Sequence, residues 1–205
     1  MKTIKNLFVL CAVAGLAGAA WAAPAEFDFK DPKGVNNAVF KLDAPLEAIS
    51  GSANGISGKV SFDPENPAAT QGKITVATAT LHVPNPMQKE HLQGAQWMDV
   101  AKYPEIVFES KSVQNAQTSG NVTTADVSGS LTIKGVSKDI TVPVKLTYLK
   151  DKLSQRVPNL NGDLLVIRAT FPIKRADYGI NPGAPQDKVS DTIDLTLSIA
   201  GAAPR

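Results

Sequence analysis

A single cysteine in 205 residues, Cys11, lies inside an N-terminal apolar run. If that run is removed on export, the rest of the chain has no disulfide, no thiolate nucleophile and no cysteine metal ligand. Histidine is almost as scarce. His82 and His91 stand nine residues apart, a spacing that matches no common metal motif. His-Glu-x-x-His, Gly-x-Ser-x-Gly and a phosphate-cradling glycine loop are all missing, so metal-assisted and serine hydrolysis lack their usual residues. An excess of charge is lacking too. The formal +2 belongs to Lys2 and Lys5; beyond residue 22 there are 19 basic residues (21 less those two) against 19 acidic ones. A near-neutral chain argues against nucleic acid as the main partner, which demands a basic face.

Lys2 and Lys5 precede an apolar run from Leu7 to Gly18, and Ala20-Trp21-Ala22 supplies small residues at the cleavage-reading positions. Residues 1–22 therefore read as a secretory signal, with a mature chain of 23–205. The run is shorter than the roughly 20 apolar residues a spanning helix needs. Bulky Leu10 before Cys11 argues against lipid attachment. Residues 23–205 suffice for one all-β domain with a sizeable core, stabilised by packing alone.

The remainder alternates with period two. Ile140, Val142, Val144, Leu146 and Tyr148 form one apolar face of Asp139–Lys150, and Ile193, Leu195, Leu197 and Ile199 repeat the pattern. Leu165, Ile167, Ala169, Phe171 and Ile173 give a third face. Apolar Leu164 and Val166 opposite leave open which side of that strand turns inward. Glu26–Lys30, Asn36–Asp43, Ile49–Asp63, Lys73–Val83, Glu105–Val113 and Asp126–Lys134 read as further strands, with Gly51, Gly55 and Gly58 bending the third of these. About eight antiparallel strands joined by short turns favour an up-and-down β-barrel over a sandwich, which shares the strand count and alternation.

One stretch breaks the pattern. Pro84 and Pro86 exclude a central strand, Asn85 can cap, and Met87–Leu92 has helix formers that stop at Gly94. A helix this short cannot bury Met87, Leu92, Trp97 and Met98 by itself, so it is expected across one barrel end. His91 beside Leu92 is placed to face a cavity mouth. The carboxylates Asp187, Asp191 and Asp194 do not have calcium-loop spacing and read as a solvated strand edge. Arg175-Ala176-Asp177-Tyr178-Gly179-Ile180 reads as a structural corner, Gly179 supplying positive φ.

Three stretches together resemble a known family, the YceI-like proteins: His91-Leu92 with Trp97-Met98-Asp99-Val100-Ala101-Lys102-Tyr103-Pro104-Glu105-Ile106-Val107-Phe108; Gly129-Ser130-Leu131-Thr132-Ile133-Lys134-Gly135-Val136-Ser137-Lys138; and Arg175 to Ile180. The resemblance implies a lipocalin-like periplasmic barrel that binds polyisoprenoids or other long-chain amphiphiles, with no catalysis and no required cofactor. Where members commonly carry a Ser-x-Val-x-Phe strand followed by histidine, Asn37 to Asp43 stands without one, so a headgroup contact from that histidine does not carry over. Alternation then puts Phe108, Leu131, Ile133, Val144, Leu146, Ile167 and Phe171 on the ligand, with His91, Leu92 and Trp97 near the helix. The partner implied is an isoprenoid or fatty-chain lipid. The resemblance leaves room for transient contact with a membrane or membrane protein, and for a homodimer. The competing reading is a filled-core structural or interaction module; a lipid-directed hydrolase or isomerase lacks a base and nucleophile pair.

Overall fold

The computed structural model describes residues 24–205; the expected export signal and Cys11 lie outside them. Ten strands follow in order: β1 (Ala25–Asp28), β2 (Asn37–Asp43), β3 (Ala48–Ala53), β4 (Ile56–Phe62), β5 (Gln71–Ala77), β6 (Glu105–Ser119), β7 (Val122–Ile133), β8 (Val136–Leu149), β9 (Gly162–Lys174) and β10 (Thr192–Pro204). All pair antiparallel. Eight of them, β1-β4-β5-β6-β7-β8-β9-β10, form a barrel that closes where Asp28 of β1 meets Ala202 of β10. The expected count of eight describes this ring, and β2 and β3 are additional.

The two additional strands arise because β10 changes partner along one edge. Residues 194–198 take β2, and the ladder then passes to β1. Asn36 fills the step. Buried at 1 % exposure, its Nδ2 donates to the carbonyls of Phe29 and Ala200, both at 3.1 Å, and its Oδ1 accepts the Ala200 N–H at 2.9 Å. It replaces the ladder bonds lost at the switch. The segment 49–63, expected as one bent strand, likewise breaks at Asn54-Gly55 into β3 and β4. Gly51 cannot be otherwise, since a Cβ there would lie 2.2 Å from the Phe40 ring.

The expected helix is present as α1 (Pro86–Gln93), with the Asn85 side chain accepting from the Met87 and Gln88 N–H groups and Gly94 ending it. The strand before it stops at Ala77, earlier than the expected Val83, in a tight turn over Thr78–Thr80. A second helix, α2 (Leu153–Arg156), was not expected; one turn long, it is held by fully buried Leu153.

Two apolar clusters occupy the barrel's ends. Near α1, Phe40, Leu42, Met98, Leu131, Ile133, Tyr178 and Ile180 pack together; at the other end, Phe27, Phe29, Phe62, Leu165 and Ile199 do so. Tyr148 borders the second cluster and donates its hydroxyl to Asp163 at 2.8 Å. Burial first, then this carboxylate, pushes the Tyr148 phenol up to about 12. A raised value means the folded state holds the proton more tightly, so the contribution is complete below pH 10 and lost as pH rises toward 12. Urea unfolding at pH 9 and pH 11.5 should show the advantage of wild type over Tyr148→Phe shrinking on the order of 2 kcal/mol.

Candidate ligand-binding cavity

Long strands project one side-chain face toward the barrel axis, and the faces fail to meet. Between the two end clusters lies a cavity of about 230 Å³. Phe108, Val144, Phe171, Leu195 and Leu197 all line it and remain part-exposed although they point inward, the signature of a hollow interior. Of the residues expected on a ligand, Leu92, Trp97, Phe108, Leu131, Ile133, Val144, Leu146, Ile167 and Phe171 form its wall. β9 therefore turns its odd-numbered side inward.

His91 does not join them. It is exposed and absent from the wall, because consecutive helical positions are about 100° apart and Leu92 takes the inward direction. Sequence reasoning left out Ile74 and Val76 of β5 and Ile106 of β6, which complete the wall opposite β8. Leu195 and Leu197, one apolar face in the sequence, also line it.

Polar groups on the wall are few and already engaged. The Thr70 hydroxyl donates to the Pro67 carbonyl at 2.6 Å, and Ser110 Oγ accepts the Gly72 N–H at 2.7 Å. Among the described residues, Arg175 is the one charged side chain lining it. At 1 % exposure, its Nε donates to the Ser190 carbonyl at 2.9 Å, its Nη1 to those of Ile180 at 2.7 Å and Asn181, and its Nη2 to that of Val189 at 3.1 Å. Its guanidinium also lies 5.6 Å from the centre of the Trp97 ring. Burial lowers the Arg175 pKa, with Asp191 opposing. Gly179 has φ +63°, and Asp191 accepts the Ala176 N–H at 2.9 Å. The segment is thus the corner the sequence indicated, and Asp191, expected as a solvated edge residue, pins it. Among the described residues, no histidine, cysteine, aspartate or glutamate lines the cavity, and no group of three or more such side chains could hold a metal ion. The wall offers shape and dispersion to an apolar guest.

Residues 31–201 match the YceI-like domain. A UPF0312 protein of Yersinia pestis (strain Pestoides F) is 30% identical over 207 residues, covering 98% of this chain and 96% of that protein. The chain belongs to the YceI-like family. A UPF0312 protein of Pectobacterium carotovorum subsp. carotovorum is 31% identical over 125 residues, a match that spans 58% of this chain and 65% of the relative's length. Among solved structures, Burkholderia cenocepacia BcnA superposes with a TM-score of 0.65 at 23% identity, covering 80% of this chain and 95% of that one. A polyisoprenoid binding domain from Saccharophagus degradans, implicated in plant cell wall breakdown, gives a TM-score of 0.65 at 13% identity over 88% of this chain and 99% of its own. These superpositions establish a shared fold. In this YceI-like chain the three family stretches frame the α1 end of the cavity: Trp97 to Phe108 crosses it, the β7–β8 hairpin walls it, and the Arg175 corner closes beside it.

Proposed function

We propose that this YceI-like protein is an exported, non-catalytic carrier that holds the chain of an isoprenoid or similar amphiphile in its barrel, for transport, storage or sequestration in the periplasm. The hollow apolar cavity inside a closed barrel carries this reading. Each methylene moved from water into such a wall is worth about 0.8 kcal/mol, so a chain needs few directional contacts. The volume falls below the roughly 300–1,000 Å³ of ordinary small-molecule sites, which suits a narrow chain better than a bulky ring system. The name of the Saccharophagus neighbour points the same way. A filled-core interaction module is disfavoured by the part-exposed inward faces.

Native mass spectrometry of protein purified from its own host should reveal an adduct extractable into organic solvent. Val144→Phe and Ala169→Trp place apolar bulk in the cavity. In a hollow interior they should displace that adduct with little loss of melting temperature, whereas in a packed core they should cost about 1–3 kcal/mol. Lipid-free wild type together with a large loss in the variants would sink the carrier reading.

A further inference from the structure

The barrel wall is not laddered all the way round. β8 and β9 pair from Leu149↔Leu164 to Val144↔Ala169, and there the ladder stops. Beyond it β8 continues to Val136 on β7 alone, and β9 continues to Lys174 on β10 alone. Continuing the register would set Pro143 opposite Thr170 and Thr141 opposite Pro172. Each proline lacks the N–H that a rung requires, so the two strands cannot zip further in regular fashion. Val142 and Phe171, both lining the cavity, stand beside this unpaired seam. Toward the barrel's two ends buried apolar side chains pack together, Phe27, Phe62 and Leu165 at one, Met98, Tyr178 and Ile180 at the other.

A groove of about 560 Å³ lies across the strands where the ladder ends. It shares Val144 and Ala169 with the cavity, so this last rung borders both. Lys145 and Arg168 line the groove, exposed and directly opposite one another on adjacent strands. Like charges so placed repel. Neither takes part in any ion pair among the described residues. The groove's one carboxylate, Asp126, accepts a hydrogen bond from Asn115 Nδ2 at 2.7 Å. Two facing cations outside any ion pair, at the end of the β8–β9 ladder beside an apolar cavity, match an amphiphile whose chain is inside and whose head is not.

We propose that the ligand passes through the wall at the β8–β9 seam and that its head is anionic, a carboxylate or a phosphate, held outside on Lys145 and Arg168. This rests on the carrier reading and adds the route and the head chemistry. An anion there relieves the repulsion of the pair and makes charge-assisted hydrogen bonds while staying in water, so it avoids the cost of burying charge.

The test measures binding of palmitate against methyl palmitate, and of farnesyl phosphate against farnesol, at low ionic strength. Wild type should prefer at least one anionic member by about tenfold. The preferred anion tells carboxylate from phosphate. In Lys145→Gln/Arg168→Gln the preference should vanish while the neutral ligands bind as before; both positions are exposed, so folding is unaffected. A preference that survives in the variant, or that wild type lacks, overturns the head site. If none of the four binds wild type, the carrier reading falls with it. For the route, Thr141→Cys/Pro172→Cys bridged by a short bismaleimide should slow uptake on the order of tenfold relative to the unbridged variant, because binding must then await a rarer opening. Uptake at the unbridged rate overturns passage through the seam.

Discussion

Leu146→Asp is expected to destabilise the barrel by about 3–5 kcal/mol, enough to unfold a marginally stable domain. Leu146 is 2 % exposed, lies opposite Thr123 of β7 and Ile167 of β9, and packs in the cluster of Phe27, Phe62 and Leu165. An ionised carboxylate there would have no cation to meet. The charged lining residue, Arg175, belongs to the α1 end and already donates to four carbonyls. Desolvation would raise the new carboxyl's pKa, so the folded state would bind the proton more tightly than the unfolded one. By linkage the deficit should then be largest at neutral pH and shrink as pH falls toward 5. Ile133→Asp, at 3 % exposure in the opposite cluster, should behave alike. Urea unfolding at pH 7 and pH 5 measures both effects. A loss below about 1 kcal/mol at pH 7 would mean that water reaches the wall freely.

Most of that wall is legible in the sequence, because period-two alternation is a local property and each inward position is fixed once its strand is recognised. Val142, Val144 and Leu146 follow from alternation alone, as the caps of α1 follow from Asn85, Pro86 and Gly94. What escapes depends on distant partners. The break at Asn54-Gly55 follows from β10 exchanging β2 for β1, a step that Asn36 bridges from 164 residues away. α2 has one turn and no periodic signal; it exists because Leu153 is fully buried. His91 misses the cavity by one residue of helical rotation. Pro143 and Pro172 are visible within strands, but only the register shows that they fall on facing strands where pairing ends.

Replacing Arg175 tests the corner that closes the α1 end. Arg175→Leu keeps an apolar stem against Trp97 but removes the donors to Ile180, Asn181, Val189 and Ser190. A buried acceptor stripped of its partner costs the desolvation of that group, so several at once should amount to about 3–5 kcal/mol even if water recovers some of them. Arg175→Lys should recover only part of this. One ammonium has three donors on a flexible stem, and it cannot reproduce a planar fork that reaches four carbonyls in different directions. Asp191→Ala should be milder, about 1–2 kcal/mol, since it removes the side-chain acceptor for the Ala176 N–H while the backbone bond from Arg175 N–H to the Asp191 carbonyl at 2.7 Å persists. Urea midpoints should therefore fall in the order wild type, Asp191→Ala, Arg175→Lys, Arg175→Leu. Hydrogen exchange should show the N–H groups of Tyr178, Gly179 and Ile180, which bond within the corner to Arg175 and Ala176, losing protection first. If Arg175→Leu is as stable as wild type, the guanidinium is not what closes the corner.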